Sequence, residues 1–314
     1  MKRIGNKAAV TMVMTLTLLM TAAACSSGTG TPTDAGGVAV CVNPDASVKP
    51  IALAGINPWA IAPTADGTRV LVTIAGAPNA SSGGLSASEA DAGIQALSAS
   101  TKQSLSIAPA ETATVSGDAG SKVTVGWYSA LAVLSATKAY AVANSSAFNG
   151  SAIYKFDPST GGSVVAVTLS PSRSGCSLGE LALDIDGGRL FATCQESVSD
   201  AGLQVGVLSV STTTDTETAA EFLSTPKRPQ SVAVFPADGG TLLIAMTDDA
   251  VGSLGRVPLG ASLGTLSLAT STLGKDPVVR VLPAGSTTHV VALNRNGWSG
   301  GTGTNSVQFL DPGS

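Results

Sequence analysis

Apolar and polar positions along this chain form a two-strand pattern that returns about every fifty residues, a period typical of propellers, solenoids and arrays. Each copy has a run of small apolar residues, a tight turn and a second apolar run. Four copies are clear, at residues 56–73, 129–144, 179–196 and 230–249. A fifth, weaker copy covers residues 277–296. The repeat predicts one β-hairpin in each copy.

The turns inside these copies support the hairpin prediction. Asp66-Gly67, Asp186-Gly187 and Asp238-Gly239 lie between apolar runs, and Asp-Gly favours a type I′ turn because both central residues need positive φ. We name the flanking runs strand A and strand B. A polar, glycine-rich stretch and two further runs, strands C and D, follow at residues 93–108, 151–169, 203–223 and 254–269.

The spacing of the B strands indicates the fold. Tyr140, Phe191, Leu243 and Val291 occupy equivalent positions, separated by 51, 52 and 48 residues. A four-stranded antiparallel unit of this length is one propeller blade. Outside the N-terminus no long stretch keeps a helical apolar period, so the prediction is an all-β fold. The many Ala and Gly residues of strand A are expected if that strand lines a narrow central channel.

The repeat resembles a known superfamily. A proline, a small-apolar strand, Asp-Gly and a second apolar strand, followed by a C strand that ends in Asp-Pro-Ser-Thr-Gly-Gly at residues 157–162, are similar to the YVTN-type, lactonase-like β-propellers. The resemblance covers nearly all of the chain after residue 37. It implies a β-propeller and no single activity, because that superfamily includes enzymes, binding modules and surface-layer proteins. The chain departs from the pattern in its B strands, where only Tyr140 supplies an aromatic hydroxyl.

The ends of the repeat leave two alternatives for the ring, in which about five blades are visible. Residues 37–55 match a C–D hairpin, and residues 305–314 match a lone C strand. In one alternative, residues 48–55 supply the missing D strand of the last blade, which removes an open sheet edge. In the other, the chain is an incomplete copy of a longer ring, and its last blades are missing.

The N-terminal segment predicts export and attachment to a membrane. A basic start, a short apolar run and Ala22-Ala23-Ala24 precede Cys25, which resembles a bacterial lipoprotein signal rather than a membrane-spanning helix. The expected organisation is a signal peptide at 1–24, lipidated Cys25 with a flexible linker at 25–37, and a propeller at 38–314. No acidic residue follows Cys25 directly, which favours the outer membrane in a double-membraned bacterium.

Charge limits the expected partners. The net charge of −4 becomes −7 once Lys2, Arg3 and Lys7 are removed with the signal peptide. An acidic domain disfavours nucleic acid and anionic lipid surfaces. Only the acyl chains on Cys25 are therefore expected to touch a membrane.

Three further cysteines belong to the expected propeller, and an exported domain favours disulfides. Cys176 lies just before a strand A and Cys194 lies in the B strand of the same blade, so the sequence favours a bond between them. A turn centred at Asp186-Gly187 would place Gly179 opposite Cys194, three positions from Cys176. Cys41 is left without a partner.

The sequence provides few groups for catalysis or metal binding. His289 is the single histidine, which rules out a multi-histidine metal site and leaves one base for any histidine triad. No haem-attachment, phosphate-loop, dinucleotide or EF-hand motif occurs. We therefore assign no catalytic residue, no metal ligand and no cofactor.

A ligand site is expected at the channel mouth, where D–A and B–C loops meet. All three tryptophans and the polar ends of the B strands fall on this face; the candidates are Trp59, Trp127, Trp298, Asn144, Glu196, Asp248 and Asn294. Aromatic rings beside carboxylates and amides suit a carbohydrate or a peptide. Alternatively, these strand ends are merely solvated and the tryptophans pack between blades.

Two functions follow as hypotheses. The first is a lipid-anchored binding or scaffold module at the cell envelope. The second is a lactonase-like hydrolase that uses Glu196, Asp248 and Asn144, with a divalent cation on oxygen ligands.

Overall fold

The computed structural model describes residues 58–75, 92–101, 104–105, 114–116, 122–124, 127–144, 151–173, 175–198, 202–225, 228–235, 240–247, 252–268, 278–283, 290–294 and 306–310. The chain divides into two compact units, Met1–Ile51 and Ala52–Ser314. All described residues belong to the second unit. They form β-strands and one short 3-10 helix, Pro171–Arg173.

The first two sheets are four-stranded and antiparallel. Blade 1 contains β1 (Pro58–Pro63), β2 (Arg69–Ala75), β3 (Ala92–Ser98) and β4 (Ser104–Leu105). A separate hairpin of β5 (Thr114–Ser116) and β6 (Lys122–Thr124) follows, which the sequence pattern did not predict. Blade 2 contains β7 (Trp127–Val133), β8 (Ala139–Asn144), β9 (Ser151–Phe156) and β10 (Val165–Ala166).

Two further four-stranded sheets and one three-stranded sheet complete the described strands. Blade 3 contains β11 (Ser177–Asp184), β12 (Arg189–Val198), β13 (Gly202–Ser211) and β14 (Thr216–Ser224). Blade 4 contains β15 (Arg228–Phe235), β16 (Thr241–Thr247), β17 (Gly252–Pro258) and β18 (Ser267–Leu268). The three-stranded sheet contains β19 (Val278–Pro283), β20 (Val290–Asn294) and β21 (Ser306–Leu310).

The sheets pack side by side in sequence order. Within every blade the strands are hydrogen-bonded in the order A, B, C, D, and the A strands β1, β7, β11, β15 and β19 each contact the next one. The A strands are therefore the inner strands. This arrangement confirms an all-β propeller of four-stranded antiparallel blades, of which four are complete in the described residues. Residues 48–55, on which the ring-closure alternative depends, lie outside them.

The core lies between neighbouring blades. Tyr140, Phe191 and Leu243, the B-strand positions that revealed the repeat, are at most 1% exposed. Tyr140 packs into the cluster between blades 2 and 3, and Phe191 packs into the cluster between blades 3 and 4. Burial of one large apolar side chain contributes about 1.5–3 kcal/mol. The fifty-residue repeat is therefore the spacing of these inter-blade contacts.

The A–B turns differ from the predicted type I′ geometry. In blade 1 the amide of Thr64 donates to the carbonyl of Arg69, which leaves a four-residue loop in which only Gly67 has positive φ (+67°). In blade 3 the positive φ belongs to Gly188 (+61°). The type I′ prediction is wrong for both turns, because a four-residue loop needs one left-handed residue rather than two adjacent ones.

A contact between neighbouring blades repeats at the end of the propeller that carries the A–B and C–D turns. A cation beside the start of strand B donates to a carbonyl in the C–D turn of the next blade. Arg69 reaches Ser159 (2.7 Å), Lys138 reaches Thr212 (2.6 Å) and Arg189 reaches Gly260 (2.9 Å). These bonds fix the position of each blade on its neighbour, at the end opposite the channel mouth.

Candidate functional site at the channel mouth

A β-bulge interrupts strand A at an equivalent place in all five described A–B pairs. One extra residue on strand A shifts the register between Pro58 and Ile61, Tyr128 and Ala130, Leu178 and Leu181, Pro229 and Ser231, and Val278 and Arg280. Each bulge lies near the start of the inner strand, where the D–A loop enters. A bulge bends the strand and changes the direction of the side chains beside it, so it alters which residues face the mouth.

Threonine hydroxyls satisfy amides that the bulges remove from the ladder. In blade 1 the amide of Ala60 donates to Oγ1 of Thr73 (2.8 Å). In blade 3 the amide of Glu180 donates to Oγ1 of Thr193 (2.9 Å). Both threonines are fully buried, where an unpaired amide would be costly. These two bulges are therefore specifically stabilised features of the fold.

The bulge residues of four blades meet around one cavity of about 300 Å³, which we name the mouth cavity. Its lining includes Trp59 of β1, Ser129 of β7, Gly179 and Glu180 of β11, Gln230 of β15, and Asn144 at the end of β8. This volume is at the lower end of the range for small-molecule sites, about 300–1,000 Å³. The cavity therefore suits a small ligand or a single side chain.

The mouth cavity combines an aromatic ring with neutral polar groups and one carboxylate. Trp59 is 53% exposed, so its indole is available to a ligand. Nδ2 of Asn144 donates to Oγ of Ser129 (2.8 Å), which holds the two side chains together across β7 and β8. Glu180 supplies the carboxylate, and no lining residue among those described is Lys, Arg or His. Such a site can orient a ligand by hydrogen bonds while the ring covers an apolar face.

The predicted site residues have different positions. Trp59 and Asn144 both line the mouth cavity. Glu196 lies half-buried on β12 beside Gly175, and the cavity lining does not include it. Trp127 begins β7 and Asn294 ends β20, but their side chains, like Trp298 and Asp248, lie outside the described residues.

The sequence pattern did not predict the other six lining residues: Ser129, Leu178, Gly179, Glu180, Pro229 and Gln230. Each lies at or beside a bulge, which changes the residues that the inner strand presents to the mouth. The sequence of blade 3 did contain one sign of its bulge, Gly179, because a glycine inside a strand often marks a bulge.

A disulfide bond holds the start of β11 beside the mouth cavity. Cys176 and Cys194 are bonded, with Cα atoms 5.5 Å apart, and both are buried. Leu178, rather than the predicted Gly179, lies opposite Cys194, because the bulge shifts the register by one residue. Ser151 Oγ also bonds this segment, accepting from the amide of Leu178 and donating to the carbonyl of Cys176 (3.1 Å).

A second cluster of titratable groups surrounds Asp215, in the C–D turn of blade 3 and at the far end from the mouth. Its carboxylate accepts from Tyr140 Oη (2.7 Å), Lys155 Nζ (2.8 Å) and Lys138 Nζ (2.8 Å), all from blade 2. Burial opposes ionisation of Asp215, but the two lysines and Tyr140 outweigh it, so its pKa lies below its ordinary value. Burial, reinforced by the bond to Asp215, raises the pKa of Tyr140. This cluster joins two blades and gives the carboxylate three donors.

Among the described residues, no group of three or more His, Cys, Asp or Glu side chains could hold a metal ion. The part of the chain that the structure describes also contains no helix long and apolar enough to span a membrane.

Comparison with known proteins identifies the fold. No protein-family model and no curated protein matches this chain. Among solved structures, it is similar to Kuenenia stuttgartiensis hydrazine synthase, with 14% identity, a TM-score of 0.51 and coverage of 76% of this chain and 65% of that one. It is also similar to the Dos1 propeller, with 14% identity, a TM-score of 0.51 and coverage of 81% and 59%. The chain thus spans less than two thirds of either structure. At this identity the likeness shows the fold alone, and the chain is a β-propeller of four-stranded antiparallel blades.

Proposed function

We propose that this chain is a lipid-anchored, extracytoplasmic propeller of about five blades that binds a small ligand in the mouth cavity. One observation carries the binding function: the same bulge recurs on every described inner strand, and the bulge residues of four blades line one cavity. A purely structural ring needs inter-blade packing but has no need of a half-exposed tryptophan beside polar groups. The repeat residues support a propeller of the lactonase-like type.

The chemistry of the lining favours a carbohydrate or a peptide. The indole of Trp59 offers an apolar face, and Ser129, Asn144 and Gln230 offer hydroxyl and amide groups. Sugars and short peptides present alternating apolar faces and hydrogen-bonding groups, which these side chains complement. The ligand would enter from the D–A and B–C loops, since the inter-blade contacts of Arg69, Lys138 and Arg189 occupy the other end.

A binding screen tests the proposal. The full chain, purified in detergent, is heated in the presence of a panel of mono- and disaccharides and of capped di- and tripeptides. A ligand that binds only the folded state increases the free energy of unfolding and therefore raises Tm. At a ligand concentration one hundred times Kd, the increase in free energy is about 2.7 kcal/mol. We expect at least one member of the panel to raise Tm, and Trp59→Ala to abolish that rise.

Ile185→Ala is the matched control. Ile185 is also an exposed large apolar residue (65%), but it lies in the A–B turn of blade 3, at the far end. Its replacement should leave the rise in Tm unchanged. Stabilisation that survives Trp59→Ala would show that the mouth cavity is not the binding site.

The proposed cellular location rests on the N-terminal sequence. Cys25 would be acylated, and the propeller would lie outside the cytoplasm, at the outer membrane in a double-membraned bacterium. The Cys176–Cys194 disulfide supports an oxidising compartment, because reducing conditions in the cytosol disfavour such bonds. Replacing Cys25 with serine should move the protein from the membrane fraction to the soluble fraction. Retention of Cys25→Ser in the membrane would contradict the anchor.

The alternative, a lactonase-like hydrolase, would need a reactive group beside the bound ligand. Of its expected residues, Asn144 lines the mouth cavity, Glu196 does not, and Asp248 lies outside the described residues. No specific observation favours it. If the purified protein hydrolyses lactones and needs calcium to do so, the hydrolase function would be correct and the binding function would be wrong.

A further inference from the structure

We infer that Arg256 of blade 4 holds the three-stranded sheet of β19, β20 and β21 against the propeller through an ion pair with Asp311, the residue that follows β21. Asp311 lies outside the described residues, and the inference assigns it as the partner of a buried cationic group. It extends the cation contacts of the first three blades to the fourth, and it is independent of the proposed binding function.

Arg256 occupies the position in blade 4 that Lys155 occupies in blade 2. Lys155 lies opposite Tyr140 in the ladder. Arg256 lies opposite Leu243, the equivalent B-strand residue of blade 4. In blade 2 this position binds the next blade, because Nζ of Lys155 lies 2.8 Å from Oδ2 of Asp215 in the C–D turn of blade 3. Arg256 is therefore expected to bind the C–D turn of the sheet that follows blade 4.

The side chain of Arg256 is on the correct face for this contact. Leu242 and Ile244 pack with blade 3, and successive side chains of a strand point to opposite faces. Leu243 therefore points away from blade 3. Arg256, directly opposite it, shares its face. The next sheet packs against blade 4 through β19, which contacts β15, β16 and β17.

The guanidinium of Arg256 lacks an acceptor. Its Nε atom is buried, and no atom in the described part of the chain accepts a hydrogen bond from it. A buried charged donor without an acceptor is costly, and such groups are rare in folded proteins. A carboxylate is the acceptor that a guanidinium binds most strongly, since both groups are charged and their geometries match.

Blade 4 has no cation at the start of its strand B. Arg69, Lys138 and Arg189 lie beside the start of strand B in blades 1, 2 and 3, and each donates to the C–D turn of the next blade. The equivalent residue of blade 4 is Thr241, which begins β16 and carries no charge. Arg256, on the neighbouring strand C, is therefore the cation of blade 4 that can make this contact.

The sequence supplies one carboxylate at the required end of the sheet. β21 ends at Leu310, opposite the first residue of β20, so the position of the C–D turn begins at Asp311. The chain has only one other acidic residue after Arg256, which is Asp276. Asp276 precedes β19, where the inner strand begins at the mouth end. Asp311 is therefore the carboxylate that this turn can offer to Arg256.

A double-mutant cycle in the full chain tests the pair. Arg256→Gln and Asp311→Asn each remove one charge and keep a polar side chain. We expect each change to lower Tm by about 5 °C, because removal of one partner leaves the other charge uncompensated in a buried site. The double variant should melt no lower than the less stable single variant, because neither charge is then left alone.

Asp276→Asn is the matched control, since it makes the same chemical change at the other acidic residue. It should leave Tm unchanged in the original chain and in Arg256→Gln. Asparagine also suits a turn, so Asp311→Asn keeps the test decisive if Arg256→Gln does not fold.

Two outcomes overturn the inference. One is an unchanged Tm in Asp311→Asn, and the other is a double variant whose loss of Tm equals the sum of the two single losses. Either result shows that Arg256 is not paired with Asp311. The proposed binding function is tested separately by the Trp59-dependent rise in Tm, so failure of the ion pair leaves that function intact.

Discussion

At the scale of residues, Asp215 shows how one charged side chain can join two blades in a chain with few charged residues. Its carboxylate, 13% exposed, lies between two lysines that are 22% and 28% exposed. Asp215 also has positive φ (+56°), a conformation that Asp and Asn tolerate better than other side chains. One residue therefore both forms the turn of blade 3 and binds blade 2.

Asp215→Asn should destabilise the fold by about 2 kcal/mol, between the values for exposed and buried ion pairs. Asparagine keeps the left-handed turn and removes only the charge. Because the folded pKa of Asp215 is lowered from 3.8, its contribution is complete above that pH and is lost as the pH falls through the folded value. Denaturant unfolding from pH 7 to pH 2 should therefore show a weaker acid dependence in the variant.

Asp186→Asn is the control for this prediction, because Asp186 is exposed in the A–B turn of blade 3. It should leave both the stability at pH 7 and the acid dependence close to those of the original chain. Equal behaviour of the two variants would show that the Asp215 cluster contributes nothing to stability.

At the scale of elements, the strands of the blades and their order were predictable from the sequence, but the β5–β6 hairpin, the bulges and the turn geometry were not. Apolar runs of four to ten residues, with Gly and Asp between them, identify the strands. The reason is that a short apolar run bounded by turn residues is typical of a buried strand. The bulge depends on pairing between two strands, as when Leu178 rather than Gly179 faces Cys194. The pattern of apolar residues within one strand does not show which residue of the partner strand lies opposite. This is why Trp59 and Asn144 were predicted at the site while Glu180 and Gln230 were missed.

Thr193→Val tests whether the bulge in blade 3 is stabilised as described. Valine has the same shape but cannot accept from the amide of Glu180, so a buried donor is left unpaired. The expected loss is about 1–3 kcal/mol in denaturant unfolding. Any ligand binding in the mouth cavity should weaken as well, because the backbone of Glu180, which lines the cavity, is released.

Thr213→Val makes the same chemical change at an exposed position, in the C–D turn of blade 3. It should alter neither the unfolding free energy nor the binding. If Thr193→Val behaves like this control, the hydroxyl does not support the bulge.

At the scale of the whole molecule, the two ends of the propeller carry different sets of groups. At one end, cations of blades 1, 2 and 3 are bonded to the C–D turns of the blades that follow. At the other end, bulges open the inner strands around a cavity with one carboxylate and a half-exposed tryptophan. The cation–carbonyl contacts between blades thus lie at one end of the channel axis, and the proposed binding site lies at the other.

The position of a bound ligand in a crystal structure tests this account most directly. Crystals of the propeller, soaked with the probe that binds most tightly in solution, should show it in the mouth cavity, in contact with Trp59 and within hydrogen-bonding distance of at least one of Asn144, Glu180 and Gln230. A ligand found instead on the outer blade edges or at the A–B turns, with an empty mouth cavity, would contradict the assignment of the channel mouth as the functional site.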